Sequence, residues 1–131
     1  MPDQALPEQS HPWQLLPALL YVVLIFVAGG VNWSGAGGME LPAGIPPDKL
    51  FHALGFAGLV PVLNWGLAGI ALPSTRRRRV WVAVLGSTLA GALLELYQTA
   101  LPHRSAEWLD LVADAVGALL AGVCLWFLRR S

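Results

Sequence analysis

The chain has 131 residues, 56% hydrophobic and only 12% charged, with a mean hydropathy of +0.60 and no net charge. A soluble domain of this size carries about a quarter charged residues, so the composition sets the chain apart from that class, and its length allows a single compact unit. The one cysteine, Cys124, excludes an intrachain disulfide framework and reads as a small packing residue in the last apolar run.

A helix needs about 20 mostly apolar residues to cross a bilayer. Four segments qualify: residues 13–31, 49–72, 80–101 and 108–128. The expected fold is therefore all-α, a polytopic membrane protein of four transmembrane helices flanked by tails at 1–12 and 129–131. The first span could instead be a cleaved signal peptide, given its small residues at Ala28, Gly29 and Gly30. Against that, residues 1–12 hold Asp3 and Glu8 but no Lys or Arg, whereas signal peptides start with a positive region.

Charge placement predicts orientation. Arg76, Arg77, Arg78 and Arg79 read as the loop between spans two and three, and Arg129 and Arg130 follow span four. Positive charge at span ends stays in the cytoplasm, so both termini are expected there, in a plasma (inner) membrane. Residues 32–48 and 102–105 then form the outer loops. The arginine run could also meet nucleic acid or anionic lipid; flanked by spans, it reads as a topology anchor, and no nucleic-acid partner is expected. Trp13, Trp33, Trp81 and Trp108 fall at span ends, as interfacial anchors do.

The remaining ionisable groups gather at the outer level. Span two begins with Asp48, Lys49 and His52, span three ends with Glu95 and Gln98, the outer loop carries His103 and Arg104, and span four begins with Glu107, Asp110 and Asp114. Lys49, His52 and Phe56 are spaced i, i+3, i+7, as are Glu107, Asp110 and Asp114, so each set shares one helix face. An Asp facing lipid near a helix centre costs about 2.5–3.5 kcal/mol, which turns such faces inward. Structural readings stand beside the functional one. Asp48 and Ser105 suit N-caps, Glu107 suits a helix first turn, and Lys49 can snorkel to the head groups. Glu95 and Asp114 lie about two turns inside their spans, too deep for capping; they form either a satisfied buried pair, with Lys49, Arg104 or His52 as partner, or a site. Gly117/Ala121, Ala118/Gly122 and Gly86/Ala90 are small-xxx-small pairs that admit close helix packing.

The motifs "DKLFH" (Asp48, Lys49, His52), "ELYQ" (Glu95, Gln98), "PHRS" (Arg104) and "DLVADAVG" (Asp110, Asp114, Gly117) occur in this order between residues 48 and 122. In that arrangement the chain resembles the VanZ-like family of small bacterial membrane proteins, named for a protein linked to teicoplanin resistance. It departs from the family pattern at Leu94, where members often carry a second acid, and at Asp114, where they often carry Asn. The resemblance implies an integral envelope protein that affects glycopeptide tolerance; it implies no reaction.

Three function classes fit the residues. A non-enzymatic binder would present Asp48, Lys49, His52, Glu95, Gln98, Arg104, Asp110 and Asp114 to a lipid head group or lipid-linked precursor, with Lys49 and Arg104 on phosphate or carboxylate. A membrane enzyme would use His52 with Glu95 or Asp110 as acid and base. His52, Glu95, Asp110 and Asp114 could also gather a divalent metal, but no metalloprotease spacing is present and none is assigned; no cofactor is expected. A proton-coupled transporter is disfavoured, because the inner halves of spans two and three offer only Asn64, Ser87 and Thr88.

Overall fold

The computed structural model describes residues 10–32, 41–70 and 75–128. Trp33, Arg129, Arg130, the tail before residue 10 and residues 33–40 of the first loop lie outside the described residues. Within them the secondary structure is helical: α1 (Leu16–Gly30), extended at its start by a 3-10 turn (Pro12–Leu15), α2 (Pro47–Ala68), α3 (Arg76–Thr99) and α4 (Trp108–Leu128). Counting the 3-10 turn with α1, all four helices are long and apolar enough to cross a membrane.

Boundaries differ from expectation where local chemistry overrides hydropathy. α2 opens on Pro47, whose fixed φ suits a first helical position and whose missing N–H is not needed there. Pro46 occupies the N-cap position, so Asp48 is a first-turn acid and no cap. The helix stops at Ala68 with a turn over residues 69–70, short of the expected end at 72. α3 starts four residues earlier than hydropathy suggests and ends at Thr99. The arginine run is therefore its first turn and not a loop. Thr75 caps it, its Oγ1 accepting from the Arg78 N–H at 3.4 Å. Arginine is a good helix former, and here it has partners: Arg76 Nη2 donates to the Leu125 carbonyl in the last turn of α4, and Arg77 stacks over Trp126 at 5.6 Å. Ser105 caps nothing; α4 begins after Glu107, whose carbonyl accepts the Asp110 N–H.

α2, α3 and α4 form the core, and α1 packs from the side. Val60, Ala83, Val84 and Ala118 make one buried cluster, and Phe56, Leu59 and Leu94 a second that receives Tyr21, Val22, Ile25 and Phe26 of α1. The outer side of α1 (Leu16, Leu19, Leu20, Val23, Leu24, Val27) stays exposed, as do Leu85, Leu89 and Leu93 of α3 and Leu120, Val123 and Phe127 of α4. This apolar perimeter is what a lipid environment requires. Cys124 belongs to it: the side chain is exposed, not the packing residue that the sequence suggested.

The buried stripe of α4 explains how the site is positioned. It consists of Asp110, Asp114, Gly117, Ala118 and Gly122, acids at one end and small residues along the rest. Gly117 meets the backbone of Ala53 in α2, and Gly122 lies against Val84 of α3. With no large side chain between them, the helices approach closely, and the two acids are carried into the α2–α3 groove instead of toward the perimeter.

Candidate functional site

The polar side chains meet at one end of the bundle, where α2 and α4 start and α3 finishes. They form two layers. In the outer layer Lys49 Nζ lies 2.9 Å from Glu107 Oε2, 2.9 Å from Asp110 Oδ1 and 3.4 Å from Asp48 Oδ2. Asp48 and Glu107 are half exposed, whereas Lys49 and Asp110 are progressively more enclosed. The snorkelling role is therefore not the one Lys49 adopts: its ammonium bridges α2 to the start of α4.

The inner layer is one helical turn deeper. His52 follows Lys49 by three residues and Asp114 follows Asp110 by four, so the same faces continue downward. His52 Nδ1 is 2.8 Å from Asp114 Oδ1, while its Nε2 is 3.7 Å from Asp110 Oδ2. The imidazole thus stands between two carboxylates, its ring stacked on Phe56 at 6.4 Å. Asp114 is 0% exposed. At 1.5 Å rise per residue it sits about 9 Å below the start of α4.

Glu95 enters from α3. Its Oε2 accepts the backbone N–H of Glu107 at 3.0 Å, which satisfies one of the orphan donors at the start of α4. This buried carboxylate pairs neither with Lys49 nor with Arg104. Its ligand atom lies with those of His52 and Asp114 inside a 4.8 Å group, and Asp48, Glu107 and Asp110 form a second such group. Glu95 Oε1 and Asp114 Oδ2 are buried and accept no hydrogen bond from the described residues.

Six of the eight expected site residues are therefore gathered: Asp48, Lys49, His52, Glu95, Asp110 and Asp114. Gln98 and Arg104 have a different task. Gln98 Nε2 and Arg104 Nε both donate to the Gly29 carbonyl at 3.1 Å, and His103 Nε2 lies 2.9 Å from the Gly30 carbonyl. All three tie down the end of α1, where the last carbonyls have no partner in their own helix. Ser87 and Thr88 likewise bond backbone carbonyls, those of Phe56 and Val84, so they extend no polar path inward.

Sequence reasoning missed Gly91. A Cβ there would stand 2.5 Å from Asp114 Oδ2 and 2.9 Å from Asp114 Cβ. Its absence is what lets the acid lie against α3. The available signal was its position one turn before Glu95 on the same face. A groove between α3 and α4 toward the arginine end is lined by Arg77, Trp81, Leu119 and Trp126 among others. Its walls are mainly apolar, and none of the acids reaches it.

No family model, no curated protein and no solved structure matches this chain.

Proposed function

We propose that the chain is a multi-pass protein of a bacterial plasma membrane, with both termini cytoplasmic and its polar cluster at the outer face. There it binds the head group of a lipid or lipid-linked cell-wall precursor. The observation that carries this reading is the graded cluster itself. Lys49, Glu107 and Asp48 are reachable at the rim, and His52, Glu95 and Asp114 form the floor. Functional clusters of ionisable groups within spans face the bundle interior in this manner. The resemblance to VanZ-like proteins over residues 48–122 supports the envelope location and a part in glycopeptide tolerance.

The charges around the cluster favour one class of head group within this reading. Five carboxylates surround one lysine and one imidazole, and Arg104 commits its Nε to Gly29. An anionic group meets repulsion at such a rim, whereas an amine-bearing head group can exchange with Lys49 on Glu107 and Asp110.

The test compares teicoplanin with vancomycin susceptibility in a deletion strain complemented with wild type, Glu95→Gln or Arg104→Gln at equal membrane levels. A teicoplanin-selective shift, lost in Glu95→Gln, supports the reading. No shift with all proteins present overturns it.

A second reading, a membrane-embedded acid–base enzyme, is favoured by one observation: the imidazole held between Asp114 and Asp110 with Glu95 beside it. Turnover of a lipid-linked intermediate by the purified protein, abolished in His52→Gln, would select this reading.

A further inference from the structure

The two acidic groups of the cluster differ in how their charge is met. The outer one, Asp48, Glu107 and Asp110, already holds a cation, the Lys49 ammonium, within 3.4 Å of each carboxylate. The inner one is His52, Glu95 and Asp114, one residue from each of α2, α3 and α4. Among the described residues no Lys or Arg nitrogen pairs with its carboxylates; only His52 does, at 2.8 Å from Asp114. Glu95 is 8% and Asp114 0% exposed, yet Glu95 Oε1 and Asp114 Oδ2 accept no hydrogen bond from the described residues. A lone protonated imidazole would still leave two buried carboxylates with one positive charge between them. Buried charges are normally paired or bound to metal.

We infer that His52, Glu95 and Asp114 bind one divalent transition-metal ion of the Zn2+ or Mn2+ type. The donor set decides the class. Imidazole suits zinc and its neighbours, carboxylates suit manganese, and an all-oxygen preference such as that of Ca2+ would leave His52 unused. Three protein ligands also leave a coordination position open, as in catalytic and ligand-binding zinc sites. The donors lie within 4.8 Å of one another and must close to about 3–3.5 Å to share an ion at about 2.0–2.2 Å, a movement within reach of side-chain torsions.

The surroundings suit this role. Glu95 is oriented by the Glu107 N–H on its other oxygen, an outer-shell contact of the kind that fixes metal ligands. Gly91 leaves the space beside Asp114 that a Cβ would fill. Asp110 Oδ2, 3.7 Å from His52 Nε2, faces the imidazole from the side opposite Asp114 and can hold its second nitrogen. The ion also has a consequence that rests on the proposed head-group function. Its open position would accept a phosphate or carboxylate oxygen at the floor of the cluster, beneath a rim that otherwise repels anions.

The full chain, purified in detergent, stripped with chelator and exchanged into metal-free buffer, is titrated separately with ZnCl2 and MnCl2 by calorimetry. Metal content is read by mass spectrometry after gel filtration, and thermal unfolding is followed with and without ion. Wild type is expected to bind about one equivalent of at least one ion and to melt at higher temperature with it. His52→Gln and Glu95→Gln should each weaken binding by more than about tenfold and lose the thermal response. Leu120→Ala, on the exposed perimeter of α4 and outside the polar cluster, should keep both. Two separate ligand variants guard against one failing to fold. Absence of stoichiometric binding to wild type, or binding unchanged in both ligand variants, overturns the inference. Wild type that binds no metal yet shifts teicoplanin susceptibility overturns this inference alone. Metal binding without a shift overturns the glycopeptide reading alone.

Discussion

His52 Nδ1 of the second helix lies 2.8 Å from Asp114 Oδ1 of the fourth, one turn below the bonds that Lys49 makes to the same helix. The pair links two helices at a depth where water cannot replace a lost partner. Asp114, with no exposed surface, depends on the imidazole more than the imidazole depends on it.

That asymmetry gives a double-mutant cycle. His52→Ala leaves a buried carboxylate without its hydrogen-bond partner and should destabilise the fold by about 1–3 kcal/mol. Asp114→Asn keeps the shape, removes the charge and should cost less. The double variant should recover part of the loss, with a coupling of about 1–3 kcal/mol. Reversible unfolding in mixed detergent micelles measures all three. Strict additivity would show that the two side chains do not interact.

Lys49 presents a more open case. Its side chain is 21% exposed and touches three carboxylates, of which Asp110 is the least accessible. Lys49→Gln leaves Glu107 and Asp110 facing each other without a counter-charge. After solvent screening at the rim, a loss of about 1–2 kcal/mol is expected, larger at low salt than at high salt. Lys49→Arg should restore most of it, and Lys49→Leu should not. Melting temperatures at two ionic strengths separate the cases.

Much of this arrangement was legible in the sequence, and the reasons differ by residue. Hydropathy located four spans because lipid imposes length and composition directly. Helical spacing placed Lys49 with His52 and Asp110 with Asp114, because the helix period is fixed whatever the fold. It could not reveal that Gln98 and Arg104 turn toward the end of α1, since that depends on where a neighbouring helix stops. The arginine run is helical because Thr75 caps it and the end of α4 receives Arg76, a tertiary contact invisible to hydropathy. Gly91 escaped notice because a glycine in a span signals close packing without naming what approaches, and here it is the carboxylate of Asp114.

Glycines in the spans should therefore differ sharply in tolerance. At Gly117 a Cβ would collide with the backbone of Ala53, including its carbonyl carbon at 2.8 Å, and no side-chain rotation can relieve that. Gly117→Ala should force α2 and α4 apart and sharply reduce folded protein. At Gly55 a Cβ meets nothing within 4 Å, and Gly55→Ala should be neutral or slightly stabilising through helix propensity. Gly91→Ala should fall between them: it displaces the Asp114 carboxylate from His52 and, because Asp114 Cβ itself would lie 2.9 Å away, pushes α3 and α4 slightly apart. Monodisperse yield by gel filtration ranks the three, and equal yields would refute the close approach of α2 and α4.

Orientation can be read by a chemical label that does not cross the membrane. The proposed topology puts the loop after α3 outside and Thr75, ahead of the arginines, inside. Cys124 is exposed on the apolar side of α4, a face that the proposed topology covers with lipid and keeps from a water-soluble label. The wild-type chain should therefore stay unlabelled in intact cells. Pro102→Cys should react with an impermeant maleimide in intact cells, and Thr75→Cys only after the membrane is opened. The reverse pattern would place the polar cluster at the cytoplasmic face. The same helices would then offer Lys49, Glu107 and the His52 triad to cytoplasmic ligands, and a role at the outer cell surface would fall with the topology.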